Sequence, residues 1–194
     1  MSDLFKTQRA GAGHNLFMKI VLTSTMLAAL AMTAASAQQP QMPDPAPHQE
    51  AIRKLRAMAG TWKGSGWMRT GPEKHTFQQR EEISLKLSDT VLLIEGNGVN
   101  PEGKPIHQAL AVVSWDTEGG GKYKFRSYAF PGLSGDFDAS FGSGKFVWGM
   151  KIGPVTTRYT ITISGNEWLE IGEMRRGGES APWVQFFEMK LTKN

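Results

Sequence analysis

The chain has 194 residues, with 22 Lys and Arg, 18 Asp and Glu, and a formal net charge of +4. It contains no cysteine, which excludes a disulfide framework and thiolate metal sites. Residues 1–37 contribute half of this net charge, so the charge balance does not indicate a nucleic-acid-binding protein.

The first segment has the layout of a secretory signal. Residues 18–37 start at a methionine followed by Lys19, continue as an apolar run and end in Ala-Ser-Ala, a small-residue cleavage site. The apolar run is shorter than the about 20 residues that a membrane-spanning helix needs. Residues 1–17 precede this signal and are interpreted as a non-native upstream extension. The sequence predicts a periplasmic or secreted protein that begins at Gln38 and has no membrane span after processing.

The mature chain begins with a linker and a helix. Residues 38–47 are rich in proline and predict an extended, solvated linker. Residues 48–194 are then the size of one domain. Within 48–59, Ile52 and Leu55 recur at helical spacing, which predicts one short amphipathic helix.

The rest of the domain alternates strand patterns with turn-forming glycine, proline and asparagine. The predicted strands cover residues 61–70, 74–87, 90–99, 105–117, 122–130, 135–141, 144–152, 155–164, 167–176 and 181–192. Consecutive strands joined by short turns are typical of an up-and-down barrel, which leaves no exposed sheet edge. The sequence therefore predicts an all-β fold, an antiparallel barrel of about ten strands preceded by one short helix.

The first strand opens with GTWKGSGW, residues 60–67, which combines glycines with aromatic bulk. Alternation puts Trp62 on the same face as Gly64 and Gly66. We expect Trp62 to fill the closed end of the barrel, and the two glycines to mark bends or close backbone approaches.

A short helix followed by Gly60-Thr61-Trp62 at the entry to a ten-strand meander resembles the calycin superfamily, which includes lipocalins, fatty-acid-binding proteins and nitrobindin. The chain is also similar to a bacterial family of exported lipocalin-like proteins of unknown function, in the segments REEI at 80–83, TVLLIEGNGV at 90–99, IHQALAVVSWD at 106–116 and YKFRSY at 123–128. Lipocalins pack a late arginine across the tryptophan. This chain offers Lys190 and Lys193 in its last strand, with Arg175 and Arg176 one strand earlier.

The sequence predicts neither a metal site nor a cofactor. Its four histidines show no ligand spacing. The resemblance to nitrobindin would imply a haem-binding histidine near the C-terminus, but no histidine follows His107.

Several polar residues are predicted on apolar, inward faces of the strands. The candidate ligand-binding residues, polar groups and apolar walls together, are Phe77, Gln79, Glu81, Glu95, Gln108, Trp148, Tyr159 and Gln185. A buried carboxylate needs a partner or becomes neutral. Arg126 is a candidate countercharge, although it faces solvent if Phe125 faces the interior.

The predicted function is that of an exported, non-catalytic binding protein for a small hydrophobic or amphiphilic ligand held in the barrel. One alternative is a structural or partner-binding protein with a packed barrel, for which Trp67, Val184 and Phe186 are candidate exposed residues. A second alternative is a barrel enzyme that uses an internal carboxylate such as Glu81. The sequence identifies no protein partner.

Overall fold

The computed structural model describes residues 42–194, and the predicted signal at 18–37 lies outside them. Ten antiparallel strands form a closed barrel in which each strand pairs with the next along the chain and the last pairs with the first. The strands are β1 (Gly60–Thr70), β2 (Glu73–Lys86), β3 (Val91–Val99), β4 (Pro105–Asp116), β5 (Lys122–Ala129), β6 (Leu133–Gly142), β7 (Lys145–Ile152), β8 (Val155–Ser164), β9 (Glu167–Arg176) and β10 (Val184–Lys193). The predicted fold class is confirmed.

In the described part of the chain, one α-helix, α1 (Ala46–Arg53), precedes the barrel and is followed by a single 3₁₀ turn, Arg56–Met58. It begins two residues before the predicted start. Pro47 is tolerated in its first turn because an N–H there would have no helical partner. Within residues 42–194, no helix combines the length and hydropathy that a membrane crossing requires.

The helix lies against one end of the barrel, here called the closed end. The Tyr123 hydroxyl donates a 2.7 Å hydrogen bond to the Ala51 carbonyl, which ties α1 to β5. The side chains that are almost completely inaccessible to solvent gather at this end: Ile52, Leu55, Trp62, Leu92, Val113 and Phe146. The opposite end, where β1 finishes and β2 begins, is here called the open end.

Trp62 lies fully buried in the closed end. Its indole N–H donates a 2.7 Å hydrogen bond to the Met58 carbonyl, and its ring packs edge-on against Trp168 with centroids 5.6 Å apart. The Lys193 ammonium lies 5.1 Å from the centre of the Trp62 ring. A lysine of the last strand therefore occupies the cationic position beside this tryptophan, where a cation is attracted to the face of the ring.

Small residues face the interior on β1, β3 and β4. Gly64 has no room for a side chain because the backbone of β10 approaches it closely, and a side chain at Gly66 would meet the Phe77 ring. Opposite them, β3 turns Gly96 inward and β4 turns Ala111 inward. The two glycines of β1 thus allow close packing of β10 and Phe77, whereas Gly96 and Ala111 leave space inside the barrel.

Candidate functional site

A cavity of about 310 Å³ lies inside the barrel, between the closed end and the open end. Small-molecule sites usually measure about 300 to 1,000 Å³, so this cavity fits a small guest. Its lining is mostly apolar: Met68, Phe77, Gln79, Glu81, Ile94, Gly96, Ile106, His107, Ala109, Ala111, Phe125, Ser127, Ala129, Trp148, Met150, Tyr159, Ile161, Trp168, Glu170, Phe187 and Met189.

Three of the lining residues are polar and more than nine-tenths buried. Gln79 is 5% exposed, Glu81 is 7% exposed and Glu170 is 8% exposed. Gln79 donates a 2.7 Å hydrogen bond from its amide Nε2 to Oε1 of Glu81. Strand β2 positions the first two, and β9, which is separated from β2 by β1 and β10, positions Glu170.

Glycines in β3 make room for this polar group. A side chain at Gly96 would place its first carbon 2.8 Å from Oε1 of Glu81 and 3.1 Å from Nε2 of Gln79. At Gly98 it would collide with the Gln79 amide oxygen. The register of β2 against β3, which pairs Glu81 with Gly96 and Gln79 with Gly98, therefore accommodates the two polar side chains.

Both carboxyl groups have raised pKa values. Burial raises the pKa of Glu81 from 4.5 to about 7, and the hydrogen bond from Gln79 offsets part of that rise. Burial raises the pKa of Glu170 to about 8, and the negative charge of Glu81 adds to the rise. At pH 7 Glu170 is therefore mostly protonated and Glu81 is protonated in about half of the molecules, and a protonated carboxyl can both donate and accept hydrogen bonds.

Beside Glu170 lies the indole of Trp168, which is 3% exposed. Its N–H is buried and completes no hydrogen bond within residues 42–194. It nevertheless acts on the adjacent carboxyl, since it lowers the Glu170 pKa relative to what burial alone would produce. The cavity thus holds one donor with unused hydrogen-bonding capacity next to a carboxyl group.

Three stacked rings form one wall of the cavity. The Trp148 ring lies between Phe125 and Tyr159, with centroid distances of 4.3 Å and 4.5 Å and an interplanar angle of 13° in each pair. Burial raises the pKa of Tyr159 to about 12, and the charge of Glu170 contributes to that rise. The Tyr159 hydroxyl therefore stays neutral and can serve as a donor.

The open end is lined by Met68, Ile106, His107 and Met150. Met68 and Ile106 are exposed to solvent. Partial desolvation lowers the pKa of His107 below its usual value. Its imidazole is therefore neutral at pH 7, and the mouth of the cavity lacks a cation from this source.

Of the eight candidate residues, five line the cavity together: Phe77, Gln79, Glu81, Trp148 and Tyr159. The predicted inward orientation of the other three, Glu95, Gln108 and Gln185, is wrong, because all three are exposed on the outer face. Arg126 also faces solvent, where it forms an ion pair with Asp136. The sequence predicts that Arg126 faces solvent if Phe125 faces the interior, and Phe125 is buried.

Glu95 and Gln108 face outward because the apolar pattern of their strands does not mark the interior. In β3, four successive apolar residues precede Glu95, and the pairing of Ile94 with Ile83 turns Ile94 inward. In β4 the small Ala109 and Ala111 face the cavity, whereas the larger Leu110 is exposed beside Gln108.

A β-bulge between Gln185 and Phe187 explains the third error. The extra residue shifts the alternation, so Phe187 lines the cavity while Gln185 turns outward. Its amide lies 3.3 Å from Glu188 on the outer face. Phe186, a candidate exposed residue of the partner-binding alternative, is buried at this bulge. Of the other two candidates, Val184 is exposed and Trp67 is half-buried.

The sequence interpretation missed Glu170 and Trp168. They share a face of β9 with Gly172, a pattern of Trp, Glu and Gly at alternate positions that could have identified an inward polar group. The opposite face carries Leu169 and Ile171, which made the strand ambiguous. Within residues 42–194, no three His, Asp or Glu side chains gather closely enough to hold a metal ion.

Comparison with known proteins identifies the fold alone. The chain is similar to Rv2717c from M. tuberculosis, known from a crystal structure, with a TM-score of 0.54 and 15% sequence identity. The similarity covers 74% of this chain and 97% of that protein. No family model matches the chain, and no curated protein matches it. The barrel architecture is therefore shared with a solved structure.

Proposed function

We propose that this protein is an exported, non-catalytic binding protein that holds a small, mostly apolar molecule with one polar end inside its barrel. The observation that carries the proposal is the internal cavity of about 310 Å³ with its buried polar group. A barrel that served only as a structural module would have no need of this space, since side chains can fill barrels of this size.

The distribution of polarity in the cavity supports an amphiphilic guest. The stacked wall of Phe125, Trp148 and Tyr159 offers apolar contact, and Gln79 with Glu81 offers hydrogen bonds at a buried position. A few polar groups in a mainly apolar pocket orient a ligand and determine specificity. The guest then buries its apolar part against the rings and places its polar end at the carboxyls.

Native mass spectrometry of the full chain, purified from a secreting host, tests the proposal. A bound guest should appear in the first preparation and disappear after refolding from denaturant. Titration of the refolded protein with fatty alcohols, fatty acids and isoprenoids should then change tryptophan fluorescence, because Trp148 lines the cavity. Absence of a guest together with absence of binding would favour the structural or partner-binding alternative.

Acid–base catalysis is a second candidate, favoured by the two carboxyls whose pKa values lie near neutrality. The same preparation separates the two functions. A binding protein returns the added amphiphile at unchanged mass after prolonged incubation. A guest recovered with an altered mass, and unaltered with Glu81→Gln, would establish catalysis instead.

Export forms part of the proposal and rests on the signal-like sequence of residues 18–37. Intact-mass measurement of the secreted protein should give a chain that begins at Gln38. Retention of Met1 or Met18 on the exported protein would contradict this assignment.

A further inference from the structure

The cavity supplies no positive charge to balance its carboxyl groups when they ionise. Four of its lining residues titrate, namely Glu81, Glu170, Tyr159 and His107, and the described lining contains no Lys or Arg. Arg126 faces solvent and cannot act as a countercharge. Two carboxyls thus share a buried space without a positive charge from the protein.

Each carboxyl nevertheless has a neutral donor that stabilises its ionised form. Gln79 donates to Glu81 at 2.7 Å. The Trp168 N–H, buried and without a completed hydrogen bond within residues 42–194, lies beside Glu170 and favours the ionised form of that carboxyl. The donors for two carboxylates are therefore present, and the missing component is a cation, without which buried carboxylates are costly.

We infer, on the basis of the binding function proposed above, that the cavity selects amphiphiles whose polar end is a protonated amine. The ammonium group donates hydrogen bonds to Glu81 and Glu170, which the neutral donors hold in place. Its apolar part contacts the stacked rings. Binding is non-covalent, and the amine supplies the charge that the lining lacks.

The proposal has a specific pH dependence. Strands β1 and β3 flank Glu81, which lies on β2, and strands β8 and β10 flank Glu170, which lies on β9. Among the cavity-lining residues of these four flanking strands, only Tyr159 titrates. His107 at the mouth and Tyr159 are both neutral at pH 7. An ammonium ion must therefore displace protons from Glu81 and Glu170, so its affinity rises between about pH 6 and pH 8, the range around their pKa values.

Matched ligands test the inference on the refolded full chain, with tryptophan fluorescence as the readout. Phenethylamine is compared with phenethyl alcohol, and octylamine with octanol, so that each pair differs only at the polar end. At pH 8 each amine should bind at least about tenfold more tightly than its alcohol, a difference of about 1.4 kcal/mol. At pH 6 this preference should shrink, while the affinity of the alcohols changes little.

Glutamine substitutions test whether the preference for amines comes from the cavity carboxyls. Glu81→Gln and Glu170→Gln should each lower amine affinity at pH 8 by about tenfold and leave alcohol affinity nearly unchanged. Glu95→Gln is the matched control because Glu95 lies on the outer face of β3, and it should change neither affinity. Circular dichroism establishes which variants fold, and either cavity variant alone is sufficient for the test.

The experiment distinguishes failure of the amine selectivity from failure of the binding function. If the alcohols bind the wild-type protein at pH 8 as tightly as the amines, or if the amine preference survives in the folded cavity variants, the cationic selectivity is wrong and the binding function stands. If no ligand of either kind binds, the binding function fails and the inference fails with it.

Discussion

Gln79 donates a 2.7 Å hydrogen bond to Glu81, two residues further along the same strand, inside the barrel. This bond stabilises the carboxylate, whereas burial destabilises it. Burial has the larger effect, since the pKa of Glu81 rises to about 7. The interaction therefore orients the carboxyl without removing the cost of its charge.

That cost predicts how stability depends on pH. The folded-state pKa values of Glu81 and Glu170 lie above the unfolded value near 4.5, so their contribution is fully present below that value and is lost as pH rises through about 7 and 8. The free energy of unfolding should fall between about pH 5 and pH 8. Denaturant titrations at several pH values measure it.

Glu81→Gln should reduce the pH-dependent loss in the free energy of unfolding by on the order of 3 kcal/mol, which corresponds to the shift in the Glu81 pKa. Glu95→Gln, on the outer face, should reproduce the wild-type dependence. A wild-type stability that stays constant or increases over this pH range would mean that the carboxyls are not desolvated.

Trp62 is predicted to stabilise the closed end. Trp62→Ala removes a fully buried ring together with its hydrogen bond to Met58 and its contact with Trp168, and should cost about 3 to 5 kcal/mol. Trp67→Ala, which removes a half-buried tryptophan of the same strand, is the control and should cost clearly less. A loss under about 1 kcal/mol for Trp62→Ala in denaturant unfolding would refute the assigned role.

Gly96 is predicted to provide the space in which the polar group lies. Gly96→Ala would put a methyl group 2.8 Å from the Glu81 carboxylate, which must move although it is buried and hydrogen-bonded. We expect a loss of about 1 to 3 kcal/mol, as for other overpacked interiors, and weaker binding of amphiphiles.

The matched control is Gly142→Ala at the end of β6, where an added methyl group meets no other atom within 4 Å. It should change the free energy of unfolding by about 0.5 kcal/mol or less. Equal effects of the two substitutions, measured by denaturant unfolding, would show that Gly96 provides no essential space.

The barrel was predictable because each strand is bounded by turn residues and the strands follow one another directly. The faces of β2 were also predictable: Phe77, Gln79 and Glu81 alternate with charged or polar residues, and only one face of that strand can be buried. Local pattern was sufficient wherever a strand had a single apolar face.

The orientation of the other site residues depended on how the strands pair and on one β-bulge. In β9 apolar residues occupy both faces, so the sequence did not distinguish the inward Glu170 from the outward Leu169. In β10 the bulge at Phe186 reversed the alternation for Gln185. Neither the register of neighbouring strands nor the position of a bulge can be read from a period of two.

The central claim, that a ligand binds within the barrel, is tested most directly by filling the cavity. Ala109 lines the cavity, and the adjacent Leu110 is exposed on the outer face of the same strand. Isothermal titration calorimetry of the full chain with octylamine should give one binding site and a negative heat-capacity change in the wild-type protein.

Binding should be lost in Ala109→Phe and retained in Leu110→Phe, with both variants folded by circular dichroism. Octylamine binding of equal affinity in a folded Ala109→Phe protein would contradict the claim, because the ligand would then have to bind outside the cavity.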